Sequence, residues 1–191
     1  MPDAVIVSTA RSPIGRAFKG SLVNERPDDI TAQMVTAALA KVPALDPAEV
    51  EDLMLGTGSP AGEQGFNAAR VVAVLAGLSD VPGVTVNRYC SSSLQTIRMA
   101  AHAIRAGEGH VFVAAGVEFV SRYPHGASDN ADAVNPVFGQ AEARTAERAG
   151  IGAPLWTPPA GLPDIYIAMG QTAENVALLE NVSREEQDAW G

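Results

Sequence analysis

Cys90 is the single cysteine of a 191-residue chain. A β-rich run, Val84-Thr85-Val86-Asn87-Arg88-Tyr89, leads straight into it, and Ser91-Ser92-Ser93-Leu94 opens a helical pattern that runs to Arg105. The thiol therefore falls at a strand-to-helix junction, at the N-terminal end of a helix. Unpaired backbone N–H groups and the helix dipole at such a position favour a thiolate over a thiol. A thiolate is the nucleophilic form, and sharp strand–nucleophile–helix turns recur in acyl-transfer enzymes. The competing reading is a small buried hydrophobe, which is how most free cysteines behave. Position and residue type leave both open.

Acyl transfer through a cysteine calls for a base or proton relay, and the histidines are His102, His110 and His125. His102 lies three turns into the Cys90 helix, out of reach of the thiol. His110 opens a strand at the end of the sheet opposite the nucleophile's turn. His125 lies in an irregular segment whose course the sequence does not fix. None is a convincing partner. There is no paired-cysteine zinc pattern, no Walker-type phosphate loop and no dinucleotide fingerprint. Gly56-Thr57-Gly58 follows a strand and reads as a turn. Arg11, Arg16 and Lys19 follow the first apolar run, where they either bind an anion or are simply solvated.

The elements that must position Cys90 alternate strand and helix. Ala4–Ser8 reads as a buried strand. Asp28 or Asp29 caps a helix with Ile30, Met34, Ala37 and Ala38 on one face. Asp46-Pro47 restarts a short helical turn with proline at its first position. Asp52–Gly56, Gly83–Tyr89 and His110–Gly116 read as further strands, and Asn67–Leu75 as a helix stopped by Gly77. The Cys90 helix places Leu94, Ile97, Ala101 and Ile104 on one face and ends near Gly107. Short apolar strands alternating with helices predict an α/β fold, with a mostly parallel sheet covered on both faces.

Composition shifts near Ser121, beyond which Tyr123–Pro163 is rich in Pro, Gly, Asn and Asp, with one helix expected over 137–148 and stopped by Gly150. The expected organisation is a sheet domain over 1–120 and part of an inserted loop subdomain over 121–191. A helix follows over 170–179, and Ser183-Arg184-Glu185-Glu186 is a capping box that starts another just before Gly191. A capped helix this close to the end suggests a truncated chain. The net charge of −9 argues against a nucleic-acid surface. No apolar run is long enough to span a bilayer, and Met1–Ala4 lacks the basic start of a signal peptide. A single cysteine forms no internal disulfide, so a cytoplasmic setting is expected.

Five segments, in order, resemble the thiolase family: Ala10–Gly15, Val86–Gln95 around Cys90, Ala115–Glu118 with Ser121, Met169–Asn175, and Ser183–Asp188. The resemblance covers the whole chain and implies a layered α-β-α fold, represented by its N-terminal half and lacking the domain's last strand. It implies that Cys90 attacks the keto carbonyl of a 3-ketoacyl-CoA, that acetyl-CoA leaves, and that a second coenzyme A takes the acyl group. Coenzyme A would be a co-substrate, with no permanently bound cofactor and no metal. Met169 would line the acyl pocket, and the Cys90 N–H would help form an oxyanion hole. The family's remaining catalytic groups would lie beyond this chain, leaving it inactive alone. Two positions depart from the family pattern. Ser93 stands where glycine is frequent, implying a tighter helix entry. Ala168 replaces the histidine of biosynthetic members, favouring a degradative enzyme, conceivably for a bulky or steroid-derived acyl group. Thiolases commonly dimerise through the strand after the nucleophile helix, so a homodimer or homotetramer of complete chains is expected. The rival readings are a decarboxylating ketoacyl-synthase-type enzyme and a non-catalytic acyl-CoA-binding or assembly subunit.

Overall fold

A computed structural model describes residues 2–125, 134–148 and 161–191. The chain divides into two compact units, 1–128 and 129–191.

The first unit is built on a parallel sheet of β1 (Asp52–Gly56), β2 (Gly83–Val86) and β3 (Phe112–Gly116), in the order β2-β1-β3. Leu53 pairs with Gly83 on one side of β1 and with Val113 on the other. Being central, β1 is the most buried strand, with Leu53 and Leu55 fully buried. They join Ala32 and Val35 of α1 (Pro27–Leu39) and Ala69, Val72 and Ala73 of α2 (Ala68–Leu75) in one core. Met54 and Gly56 alternate with them and face α3 (Ser92–Ala106) on the other side of the sheet. Helices on both faces of a parallel sheet are the predicted α/β architecture. The short turn at Pro47–Glu49 carries a full capping box on Asp46, and Gly77 and Gly107 end α2 and α3 in left-handed backbone at φ +81° and +77°.

Three expectations need correction. Ala4–Ser8 is not a buried strand: Val5, Ile6 and Val7 are 73%, 72% and 74% exposed. The segment is tied to α1 instead, with Ser8 Oγ donating to the Ala38 carbonyl (2.7 Å) and Lys41 Nζ to that of Thr9 (2.7 Å). A strand needs a backbone partner, and among the described residues β3 pairs with β1 alone. The α1 cap is the second case. Pro27 takes the first helical position after Arg26, so Asp28 falls inside the first turn. Its carboxylate accepts from the Arg26 guanidinium (3.0 and 2.8 Å). The α1 residues that are buried are Pro27, Asp28, Thr31, Ala32 and Val35, a face rotated from the expected one.

The third concerns α3. Its buried residues are Ser92, Thr96, Ala100 and Ala103, whereas Leu94 is 65% and Ile97 43% exposed. Small side chains win the sheet-facing side because the helix sits too close to β1 and β3 for larger ones. A Cβ placed on Gly56 would lie 2.4 Å from the Ser92 carbonyl carbon, and one on Gly116 would lie 2.6 Å from Ser93 Cβ. Gly116 thus makes room for Ser93.

The second unit contains α4 (Gly139–Glu147), α5 (Met169–Leu179) and α6 (Arg184–Trp190). Asp164, its side chain only 4% exposed, pairs with Arg144 (2.7 Å) and Arg148 (3.2 Å). Phe138 meets Tyr166 edge to face, and Ser183 and Glu186 form the capping box read from the sequence. Gly150, expected to stop α4, lies outside the described residues.

Candidate active site

Cys90 occupies a single 3-10 turn, Tyr89–Ser91, between the end of β2 and the start of α3. The thiol is exposed, which removes the buried-hydrophobe reading. The turn lies where β1, β2 and β3 end at Gly56, Val86 and Gly116, the carboxyl edge of the sheet. Ligands of parallel α/β sheets gather at that edge.

The strand stops at Val86 rather than continuing to Tyr89, because the next residues spend their hydrogen bonds on the turn. Asn87 Nδ2 donates to the Gly58 carbonyl (3.1 Å), and Asn87 Oδ1 accepts from the Tyr89 N–H (2.7 Å). The Arg88 N–H donates to Ser92 Oγ (2.8 Å), and that hydroxyl donates to the Tyr89 carbonyl (2.6 Å). Tyr89 is held at φ +46°. For a non-glycine residue, left-handed backbone costs on the order of 1–2 kcal/mol. The Ser91 side chain makes no capping bond to α3.

The floor beneath this turn is Gly56-Thr57-Gly58. Gly56 admits the α3 backbone, and a Cβ on Gly58 would lie 3.5 Å from the Tyr89 carbonyl and 2.9 Å from Glu118 Oε2. The Gly58 N–H donates to Glu118 Oε2 (2.6 Å). Glu118 Oε1 accepts from Gln64 Nε2 (3.1 Å) and from the Tyr123 hydroxyl. Gln64 is 3% exposed and also accepts from the Phe119 N–H (2.6 Å). One polar chain thus runs from Tyr123 through Glu118, Gly58 and Asn87 to the residue before Cys90. Beside it, Arg122 and Arg26 converge on Glu63, Arg26 at 2.9 Å. The hydrogen bond from Arg122 holds the Glu63 carboxyl below its usual range, with help from the charges of Arg122 and Arg26.

The histidines fall as their spacing suggested. His102 is exposed on α3, ten residues past its start, or about 15 Å along the axis. His110 lies at the amino edge of the sheet, its N–H donating to Glu51. His125 ends the turn Val120–His125, and its side chain lies outside the described part. Arg11, Arg16 and Lys19 are exposed. Met169 begins α5 in the second unit and is 75% exposed. Among the described residues, no cluster of His, Cys, Asp and Glu is arranged to hold a metal ion, and no helix is long and apolar enough to cross a membrane.

Sequence reasoning named Cys90 but overlooked its supports. It read Gly56-Thr57-Gly58 as a mere turn and assigned no role to Asn87 or Ser92. The signal available was the glycine at the end of each flanking strand, next to a serine-rich helix start.

Comparison with known proteins places these features. The family described as "Thiolase, N-terminal domain" matches residues 4–191. A 3-ketoacyl-CoA thiolase of Bacillus subtilis (strain 168) is 41% identical over 194 residues, covering 100% of this chain and 43% of that protein. A 3-ketoacyl-CoA thiolase of Saccharophagus degradans is 38% identical, covering 99% of the chain and 43% of the relative. A beta-ketoadipyl-CoA thiolase of Acinetobacter baylyi is 40% identical, covering 100% and 46%. The chain spans less than half the length of these curated relatives.

Proposed function

The chain belongs to the thiolase family, matching its N-terminal domain, and from that premise we propose that the whole protein is an acetyl-CoA C-acyltransferase that thiolytically cleaves 3-ketoacyl-CoA. The observation that carries this reading is the exposed Cys90 on a braced strand-to-helix turn, inside a segment that resembles the family's nucleophile segment. The Cys90 sulfur attacks the 3-keto carbonyl, and the bond between C2 and C3 breaks. Its electron pair departs with the acetyl-CoA portion, which takes up a proton as it leaves. The shortened acyl group stays on sulfur as a thioester until a second coenzyme A thiol attacks it, transfers a proton away and restores Cys90.

The Cys90 backbone N–H helps form the oxyanion hole for each attack, the N–H groups of Tyr89 and Ser91 being bonded to Asn87 Oδ1 and the Arg88 carbonyl. Met169 contributes to the acyl pocket. Coenzyme A acts as co-substrate, in a cytoplasmic homodimer or homotetramer of complete chains. Ala168, in place of the biosynthetic members' histidine, supports the degradative direction of β-oxidation-type chemistry. The relatives' printed names, 3-ketoacyl-CoA thiolase and beta-ketoadipyl-CoA thiolase, support thiolysis over the decarboxylating alternative and over a non-catalytic subunit.

In the whole protein, iodoacetamide is expected to label Cys90 and stop thiolysis. Cys90→Ala is expected to lower kcat by at least about a thousand-fold. Thiolysis retained in that variant overturns the assignment. A panel of short, long, branched and steroid-derived 3-ketoacyl-CoAs then defines the acyl range.

A further inference from the structure

Resting on the reading of Cys90 as the acylated nucleophile, we propose that Ser92 is a positioning residue for it: its hydroxyl ties the backbone on either side of the left-handed Tyr89 and so fixes the turn that presents the sulfur. A serine at a helix start ordinarily turns its oxygen toward the N–H groups ahead of it. Ser92 turns back. It accepts from the Arg88 N–H at 2.8 Å and donates to the Tyr89 carbonyl at 2.6 Å, both upstream of Cys90. The side chain is 3% exposed, so water cannot replace either bond.

Two further sides of the turn are also constrained. Asn87 Oδ1 holds the Tyr89 N–H at 2.7 Å, and Asn87 Nδ2 is anchored on the Gly58 carbonyl. From below, β1 fixes Ser92 itself, since the absent Cβ of Gly56 lets the Ser92 backbone lie directly on the strand. Tyr89, 72% exposed and at φ +46°, gains too little burial to hold this backbone by its own side chain. Take away the Ser92 hydroxyl and the Arg88 N–H loses its partner while the Tyr89 carbonyl loses one. The turn then relaxes toward negative φ at Tyr89 and carries the sulfur with it. Ser92 touches neither sulfur nor substrate; it acts through the peptide units beside them.

The test compares the rate of Cys90 alkylation by iodoacetamide, located by peptide mapping, across neutral to mildly alkaline pH, in the whole protein as wild type, as Ser92→Ala, and as Ser92→Ala combined with Tyr89→Asn. Losing the clamp is expected to slow alkylation roughly ten-fold and displace the rate–pH curve. Asparagine tolerates left-handed backbone, so the double variant is expected to recover most of the loss. A Ser92→Ala chain that reacts at the wild-type rate with an unchanged curve overturns the proposal, as does a double variant no faster than the single. Should Ser92→Ala fail to fold, amide exchange at Arg88 in the wild-type chain decides. Protection supports the clamp, and free exchange overturns it. Acylation of wild-type Cys90 in the whole protein by a 3-ketoacyl-CoA is read separately. Its failure removes the acyltransferase reading without touching the alkylation comparison.

Discussion

At Tyr89 the backbone is held where few side chains are comfortable, and the residue that follows it is the proposed nucleophile. Strain of this kind persists only where the surroundings over-determine it, and here Asn87 and Ser92 do so. Tyr89→Asn alone is expected to raise stability by up to about 1 kcal/mol, seen as a higher Tm; a lower Tm contradicts the claim of strain. Glu63 makes a second residue-scale case. Its carboxyl is held low chiefly by the hydrogen bond from Arg122, so the fold favours its ionised form. That contribution is complete above the ordinary carboxylate range and is lost as pH falls through the lowered folded value. Denaturant titrations of wild type and Glu63→Gln are therefore expected to differ most at neutral pH and to converge in acid. A constant difference across pH contradicts the ion-pair account. The strand-to-helix junction that carries Cys90 was legible from the sequence because a β-rich run meets a helical pattern there. Ser92 was not, because its role depends on which way a short hydroxyl turns, and a serine run looks like any helix start.

At the scale of elements, close contact between α3 and the sheet decides what the turn can do. Gly56 and Gly116 permit that contact, and the small face Ser92, Thr96, Ala100 and Ala103 fills it. Gly56→Ala is expected to destabilise the chain by about 1–3 kcal/mol and to slow Cys90 alkylation, because either β1 or the start of α3 must give way. Unchanged alkylation in a folded Gly56→Ala chain contradicts the idea that the helix is seated on that strand. Periodicity identified α3 and its limits, since Arg105 and Gly107 end it clearly. It misplaced the buried face, because the apolar-in rule assumes room for Leu94 and Ile97 that a glycine-floored interface does not have. The β1 limits were readable because the apolar run Leu53–Leu55 is bounded by Asp52 and Gly56. Ala4–Ser8 has the same composition but no partner strand among the described residues, and composition alone does not reveal pairing.

For the whole molecule, the consequence is exposed apolar surface. Among the described residues, Val5, Ile6 and Val7 stand open, the Leu94 and Ile97 side of α3 is exposed, and the outer edges of β2 and β3 are unpaired. Unpaired edges and apolar faces recruit other chains. The 191-residue chain alone is expected to self-associate, read by light scattering against concentration, and Val5→Lys with Val7→Lys to lessen it; a monodisperse monomer at high concentration contradicts this. The same chain alone is expected to show no thiolysis, because of the histidines with described side chains neither His102, far along α3, nor His110, at the opposite edge of the sheet, lies within reach of Cys90. The most direct test of the central claim uses the whole protein mixed with a 3-ketoacyl-CoA in the absence of free coenzyme A, then quenched and mapped by mass spectrometry. The account predicts a shortened acyl group on the peptide containing Cys90, discharged when coenzyme A is added. An unmodified Cys90, or an acyl group on any other residue, would contradict it.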